Sequence, residues 1–323
     1  MEGPDPAQLV GAVVAGRYRV QALLGTGGMS AVYEVEDQHA GGRVAMKVLL
    51  PPLGEDPVNV ARFTREAKAM GLFEHRNIIA LRDHGRLDTD APFLVMDLVR
   101  GASLREVLEE GPLDPVRALS IIRQVLEALS HAHAIGVVHR DIKPENIMLV
   151  DGGSPHEDAE LVKVLDFGIA KIVGDARALL GEATLTQAGY AQGSPRYVAP
   201  EALLGHILDA RADLYAVGVV LFELLTGRSP FNDEDPVALA RLHVTAPIPS
   251  LTQTAPERSF TPQVEYLVGE ALAKKPEHRF GSAAEMLGAL DAANRSLEAI
   301  LGGGTIQSLV PPLAALAPAR RAI

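Results

Sequence analysis

The stretch His139-Arg140-Asp141-Ile142-Lys143-Pro144-Glu145-Asn146 decides the reading of this chain. Five of its residues, His139, Arg140, Asp141, Lys143 and Asn146, stand in a register that random sequence yields about once in ten thousand chains of this size. The stretch supplies a carboxylate, an ammonium and an amide able to meet at one point. Such a point suits a hydroxyl nucleophile, a phosphate and a metal ion. Taken alone, the same letters also describe a charged turn after a helix.

Upstream, Asp114-Pro115 opens a long helical pattern with Ile121, Ile122, Val125 and Leu129 inward and Gly136 as its stop. Downstream, two short strands are expected at 147–150 and 162–165, joined by an acidic insertion at 151–160. Farther back, residues 18–50 read as an antiparallel meander: Tyr18, Val20 and Leu23 precede a glycine turn, and two apolar runs follow it. A helix is expected from Asp56, with Val60, Phe63, Ala67 and Met70 at helical spacing and Glu66 at the stripe's edge. Short strands follow near 78–81 and 93–97. Beyond residue 101 the pattern is helical. Leu214 to Leu225 is apolar all round and should be a buried helix closed by Gly227, with further helices at 236–243, 262–273 and 282–301.

The pattern is α+β and bilobal. Residues 1–16 are expected as a flexible lead-in, 17–97 as a small antiparallel-β lobe with one helix, and 98–301 as a larger, mainly helical lobe. Residues 302–323 form a Gly/Pro/Ala-rich tail, expected either to dock or to be the start of something longer. A cleft between two such lobes is a natural ligand site.

Bulk properties narrow the classes. A chain of 323 residues with 47% hydrophobic and 22% charged residues is ordinary globular material. Its net charge of −11 argues against nucleic acid and anionic lipid as partners. With no cysteine there is no disulfide, thiolate metal site or thiol nucleophile. No apolar run reaches the roughly 20 residues a bilayer requires, and the first residues lack the pattern of a signal peptide. A cytoplasmic location without membrane insertion is expected.

Three further motifs carry chemistry. Gly25-Thr26-Gly27-Gly28-Met29-Ser30 lies between two strands, where side-chain-free backbone N–H groups can approach phosphate oxygens. Taken alone it reads better as a plain hairpin turn, and its strand-turn-strand setting excludes the dinucleotide fingerprint, which opens a helix. Lys47 shares one side of its strand with Ala45, and an inward Lys needs an anionic partner, for which Glu66 is the natural choice. Asp166-Phe167-Gly168 follows an apolar strand. There a carboxylate, with the amide oxygen of Asn146, makes a pair of Mg²⁺ ligands.

In this order the motifs resemble the catalytic domain of a eukaryotic-type (Hanks-type) bacterial serine/threonine protein kinase, from about Tyr18 to Leu301. The resemblance implies ATP and Mg²⁺, with Mn²⁺ as a substitute. It implies that Leu24, Gly25, Gly27, Gly28 and Ser30 cover the nucleotide and that Val32, Ala45 and Met148 enclose the adenine. Met96 becomes the gatekeeper before hinge residues Asp97 to Val99. Lys47 and Glu66 become the pair that orients the α- and β-phosphates, Asp141 the catalytic base, Lys143 the γ-phosphate contact, and Asn146 and Asp166 the metal ligands. His139 and Phe167 become structural members of a hydrophobic spine beside Met70 and Leu81. Glu201 of Ala199-Pro200-Glu201 pairs Arg279, and Asp213 braces the catalytic loop. Lys143 implies the serine/threonine class. Ser194 stands where the family usually has Thr.

Arg140 beside the base, expected to be buried and uncompensated until an anion arrives, implies regulation by phosphate, with Thr184 and Thr186 as candidate autophosphorylation sites. The implied partners are protein substrates with Ser/Thr acceptors and, as a further option, a homodimer. Two rivals remain: a kinase-fold scaffold without activity, against which the full set Lys47, Glu66, Asp141, Asn146 and Asp166 stands, and a small-molecule phosphotransferase, which generally lacks the Ala-Pro-Glu element.

Overall fold

The computed structural model describes residues 6–27, 30–50, 60, 63, 67, 71, 73–151, 160–167 and 195–301. Alternating apolar residues build a six-stranded antiparallel sheet from β1 (Val13–Val14), β2 (Tyr18–Thr26), β3 (Ser30–Asp37), β4 (Arg43–Leu49), β5 (Leu81–Arg86) and β6 (Pro92–Asp97), in the order β1-β2-β3-β4-β6-β5. Both faces are covered. Tyr18, Tyr33, Met46, Val48 and Phe93 form one buried cluster, while Ala45, Leu49, Leu94 and Met96 face the main core together with the helical residues Phe63 and Ala67. Alternation along β4 therefore sends Lys47 inward with Ala45, and Lys47 is only 6% exposed.

A second sheet joins the lobes. The chain leaves β6, passes Gly101 and enters β7 (Ala102–Ser103), which pairs with β8 (Ile147–Asp151), itself paired with β9 (Glu160–Val164). A Cβ on Gly101 would lie 2.0 Å from the Leu149 carbonyl oxygen. Only glycine lets the crossing strand press so closely onto β8.

The large lobe is helical. Ser103 caps α1 (Leu104–Glu109) in a reciprocal capping box with Glu106. Asp114 caps α2 (Pro115–Ala134), which ends before Gly136 at φ +80°. The four-residue α3 (Pro200–Leu203) leads to α4 (Ala210–Thr226), whose Leu214, Tyr215, Val217, Leu221 and Phe222 are fully buried. Gly227, left-handed at φ +69°, closes that helix. Around it lie α5 (Pro236–Thr245), α6 (Leu251–Thr254), α7 (Pro262–Ala271) and α8 (Ala283–Leu301).

The bilobal α+β reading is borne out, with local corrections. Val13 and Val14, expected in a loose lead-in, pair with β2 through Val13↔Arg19 and Val14↔Tyr18. Two residues are too few to show an alternation. The strand expected at 78–81 instead runs from Leu81 to Arg86, and Ile78 makes only an isolated bridge to Val164. As an edge strand, β5 exposes every second residue, and its charges hid it. The helix start at Asp56, the centre of the acidic insertion and the tail lie outside the described residues.

Candidate active site

The loop after α2 is held from beneath by Asp213, the fourth residue of α4 and 1% exposed. Its Oδ2 accepts the His139 amide at 2.8 Å and its Oδ1 the Arg140 amide at 2.7 Å. His133 Nε2 lies 2.8 Å from the same Oδ2. These bonds hold Arg140 at φ +65°, a left-handed conformation that a non-glycine residue keeps only when its surroundings over-determine it. His139 is fully buried, and its Nε2 sits 2.8 Å from the Leu165 carbonyl. Burial lowers its pKa from the usual histidine value, against the raising influence of Asp213. A neutral, enclosed imidazole has a structural task. Its ring rests on Phe167 with centroids 4.5 Å apart, and Phe167 rests on Phe73 at 5.0 Å.

Above this base the reactive groups converge. Lys143 Nζ lies 2.8 Å from Asp141 Oδ2. Asn146 Nδ2 donates to the Asp141 carbonyl at 2.8 Å and to Asp141 Oδ2 at 3.0 Å. Both N–H groups of Asn146 thus serve Asp141, leaving the amide oxygen as the atom for a cation. The Leu165 amide donates to the Asn146 carbonyl at 2.8 Å, which sets Asp166 beside Asn146. Asp166 also has a left-handed backbone, φ +54°.

From the other lobe, Lys47 Nζ reaches Asp166 Oδ1 at 2.6 Å. The ammonium expected to pair with Glu66 therefore has a contact on Asp166. Glu66 itself lies outside the described residues, as do Gly28, Met70, Thr184, Thr186 and Ser194. Gly25 and Gly27 both have backbone angles open to any residue, and a Cβ on Gly25 would meet nothing within 4 Å. Their lack of side chains thus clears space over the cleft rather than relieving the fold. Leu24 beside them is 51% exposed. Val32 pairs with Lys47 and Ala45 with Met96 across the strands. Met148 pairs with Ser103 on the opposite sheet, and Val99 is half-buried beyond β6. Asp97, in the expected hinge, accepts from Arg82 Nε at 2.6 Å.

The donor set fits a hard divalent cation: one amide oxygen, one carboxylate, and room for phosphate oxygens and water. Among the described residues no group of three or more His, Cys, Asp or Glu side chains could enclose a metal.

A platform flanks the site. Glu201 takes two parallel bonds from Arg279, both 2.7 Å. Tyr197 donates to Glu223 Oε2 at 2.5 Å, and Arg105 bonds the Tyr197 hydroxyl. Burial and the Glu223 carboxylate push the Tyr197 phenol well above its usual pKa. Four contributors escaped the sequence reading: Phe73, Asn77, Gln124 and His133. An apolar-faced helix carrying buried Gln124 and partly buried His133 is the one linear hint, since buried polar groups need partners.

A family profile described as "Protein kinase domain" matches residues 18–289. The chain is similar to the serine/threonine-protein kinase pkn3 of Myxococcus xanthus, 42% identical over 91% of this chain and 53% of that protein. It is similar to the serine/threonine-protein kinase PknB of Mycobacterium tuberculosis, 39% identical over 84% of this chain and 42% of that one. The chain thus spans about half or less of these relatives' lengths. Among solved structures, the PknI kinase domain of Mycobacterium tuberculosis superposes with a TM-score of 0.66 at 28% identity, covering 87% of this chain and 97% of that one.

Proposed function

The chain belongs to the protein kinase domain family, which uses ATP, and from that premise we propose that it transfers the ATP γ-phosphate to Ser/Thr hydroxyls of proteins. One observation carries the reading: Asp141, Lys143 and Asn146 share a single carboxylate, while Lys47 crosses the cleft to Asp166. These are the parts phosphoryl transfer requires, because its transition state asks mainly for positioning and charge neutralisation.

Asp141, held by Asn146 and Lys143, orients the acceptor hydroxyl and takes its proton. Lys143 follows the transferred group with its ammonium. Lys47 exchanges its contact on Asp166 for phosphate oxygens, with Glu66 behind it. Asn146 and Asp166 would hold Mg²⁺ or Mn²⁺, which supplies neutralisation of phosphate charge. Gly25, Gly27, Gly28 and Ser30 approach the phosphates through backbone N–H groups. Leu24, Val32, Ala45, Met96 and Met148 form the apolar walls for the base, and the backbone from Asp97 to Val99 its edge contacts.

The reading extends to regulation. Arg140 is exposed beside the base rather than buried as expected, so it is open to an incoming anion, and a phosphate on Thr184 or Thr186 would give it a charge-assisted partner. Autophosphorylation within a transient homodimer is the simplest source of that phosphate. A cytoplasmic location, where ATP is at hand, belongs to the same proposal. Among the described residues no helix is long and apolar enough to cross a membrane.

The test is radiolabelled ATP offered with a generic basic protein and, separately, a panel of small alcohols. Label in protein, abolished by Asp141→Asn, supports the reading. Label only in small molecules, or none with nucleotide bound, selects one of the rivals.

A further inference from the structure

One loop of the small lobe grips the chain on both sides of Asp166. Ahead of it, the Val164 amide donates to the Asn77 carbonyl at 2.8 Å and the Ile79 amide to the Val164 carbonyl at 3.2 Å. Asn77 Nδ2 donates to the Val162 carbonyl at 2.9 Å. Behind it, Phe167 leans on Phe73 of the same loop.

Two side chains of α2 meet that loop: the His131 ring lies against Phe73 and His75, and Gln124 makes the hydrogen bonds. Gln124 Oε1 accepts from Asn77 Nδ2 at 2.8 Å and from the Val162 amide at 3.0 Å. Gln124 Nε2 donates to the Glu160 carbonyl at 3.0 Å. Asn77 is fully buried and Gln124 is 5% exposed. Buried amides are costly unless bonded. Asn77 Oδ1 has no hydrogen-bond partner among the described residues. Asn77 Nδ2 and both polar atoms of Gln124 are bonded, and those directional bonds favour one arrangement where apolar residues would allow several. Here the favoured arrangement is β9 against α2 and the loop, two residues from Asp166.

We propose that Gln124 and Asn77 are positioning residues that set the aim of Asp166 and thereby the metal affinity of the cleft. The proposal rests on the phosphoryl-transfer reading above. Without Gln124, the Asn77 amide, the Val162 N–H and the Glu160 carbonyl all lose a buried partner, and β9 is free to shift against α2. The left-handed backbone at Asp166 then relaxes. Partners that hold a metal ligand in place typically alter metal affinity about 10- to 100-fold.

The test uses the full chain and two variants, Gln124→Met, which keeps the side-chain length, and Asn77→Ala. Mn²⁺ binding to the AMP-PNP complex is read by electron paramagnetic resonance, and amide hydrogen exchange is followed at Val162 and Val164. The Mg²⁺ concentration for half-maximal phosphotransfer is measured alongside. Both variants are expected to bind Mn²⁺ about tenfold more weakly, to need proportionately more Mg²⁺, and to regain turnover when Mg²⁺ saturates. Val162 and Val164 should exchange faster. Unchanged Mn²⁺ affinity, with activity falling only as the folded fraction falls, overturns the positioning role. Failure of the unaltered protein to bind Mn²⁺ with AMP-PNP would instead refute the phosphoryl-transfer reading, and this proposal with it.

Discussion

Replacing Glu201 by Gln tests the buried ion pair between α3 and Arg279. The Arg279 side chain is wholly buried and that of Glu201 is 6% exposed. Arg279 uses all five N–H groups: two on the Glu201 oxygens and three on the carbonyls of Ala273, Arg211 and Lys274. Removing one partner of such a pair costs about 3–5 kcal/mol, because the other charge stays buried and uncompensated. Glutamine keeps one acceptor oxygen, so the lower end, about 3 kcal/mol, applies. At about 2–4 °C per kcal/mol for a domain of this size, Tm should fall by roughly 6–12 °C. Arg279→Met also breaks the three carbonyl bonds and the stacking on Tyr215 at 4.8 Å, so it should fall further. The double variant should be no less stable than Arg279→Met alone and somewhat more so, since the second change removes the buried carboxylate that the first left uncompensated. Thermal unfolding by circular dichroism of all four proteins decides the matter. A loss under about 2 °C in Glu201→Gln, or strict additivity in the double variant, would refute the reasoning.

Other outcomes follow from the site and its surroundings. Asp141→Asn should keep nucleotide binding, read by calorimetry, while phosphotransfer to protein drops about 10²–10⁴-fold; unchanged turnover would sink the base assignment. Gly101→Ala should cost about 1–3 kcal/mol and raise the KM for ATP, because its Cβ meets the Leu149 carbonyl; an unaltered Tm and KM would show that the hinge has slack. Burial lowers the pKa of His243 to about 4. A histidine depressed below its unfolded value contributes fully above about pH 6.5, and that contribution is lost as pH falls toward about 4. The loss is on the order of 3 kcal/mol. Urea unfolding at about pH 7 and about pH 4.5 should show it in the unaltered protein and much less in His243→Gln; equal losses would assign the effect elsewhere.

The geometry of the candidate site was legible in the chain wherever it is local. Asp141, Lys143 and Asn146 converge because separations of two and five residues on a tight loop bring side chains to one point, and the letters record that directly. Lys47 was legible because a cation on the inward face of an apolar strand demands an anion. Its contact on Asp166 was not, since Asp166 comes from the far lobe and only the folded register brings it within 2.6 Å; the expected partner Glu66 lies outside the described residues. The helix α1 carried its signal openly in Ser103 and Glu106 at capping-box spacing and passed unread. Strand β5 was displaced because Leu81–Arg86 shows charge where an interior strand would show apolar alternation. Asn77 and Gln124 had no linear signature: two amides far apart in sequence look like surface until three elements close over them.

Arg140 and Asp166 share a left-handed backbone, at an intrinsic cost of about 1–2 kcal/mol each. An engineer seeking a hardier protein would be drawn to glycine at both positions and would gain thermal tolerance. The same exchange would delete the candidate phosphate reader and the candidate metal carboxylate. At these two positions the optimum for endurance and the optimum for chemistry lie apart, so a screen for heat resistance alone would select inert survivors.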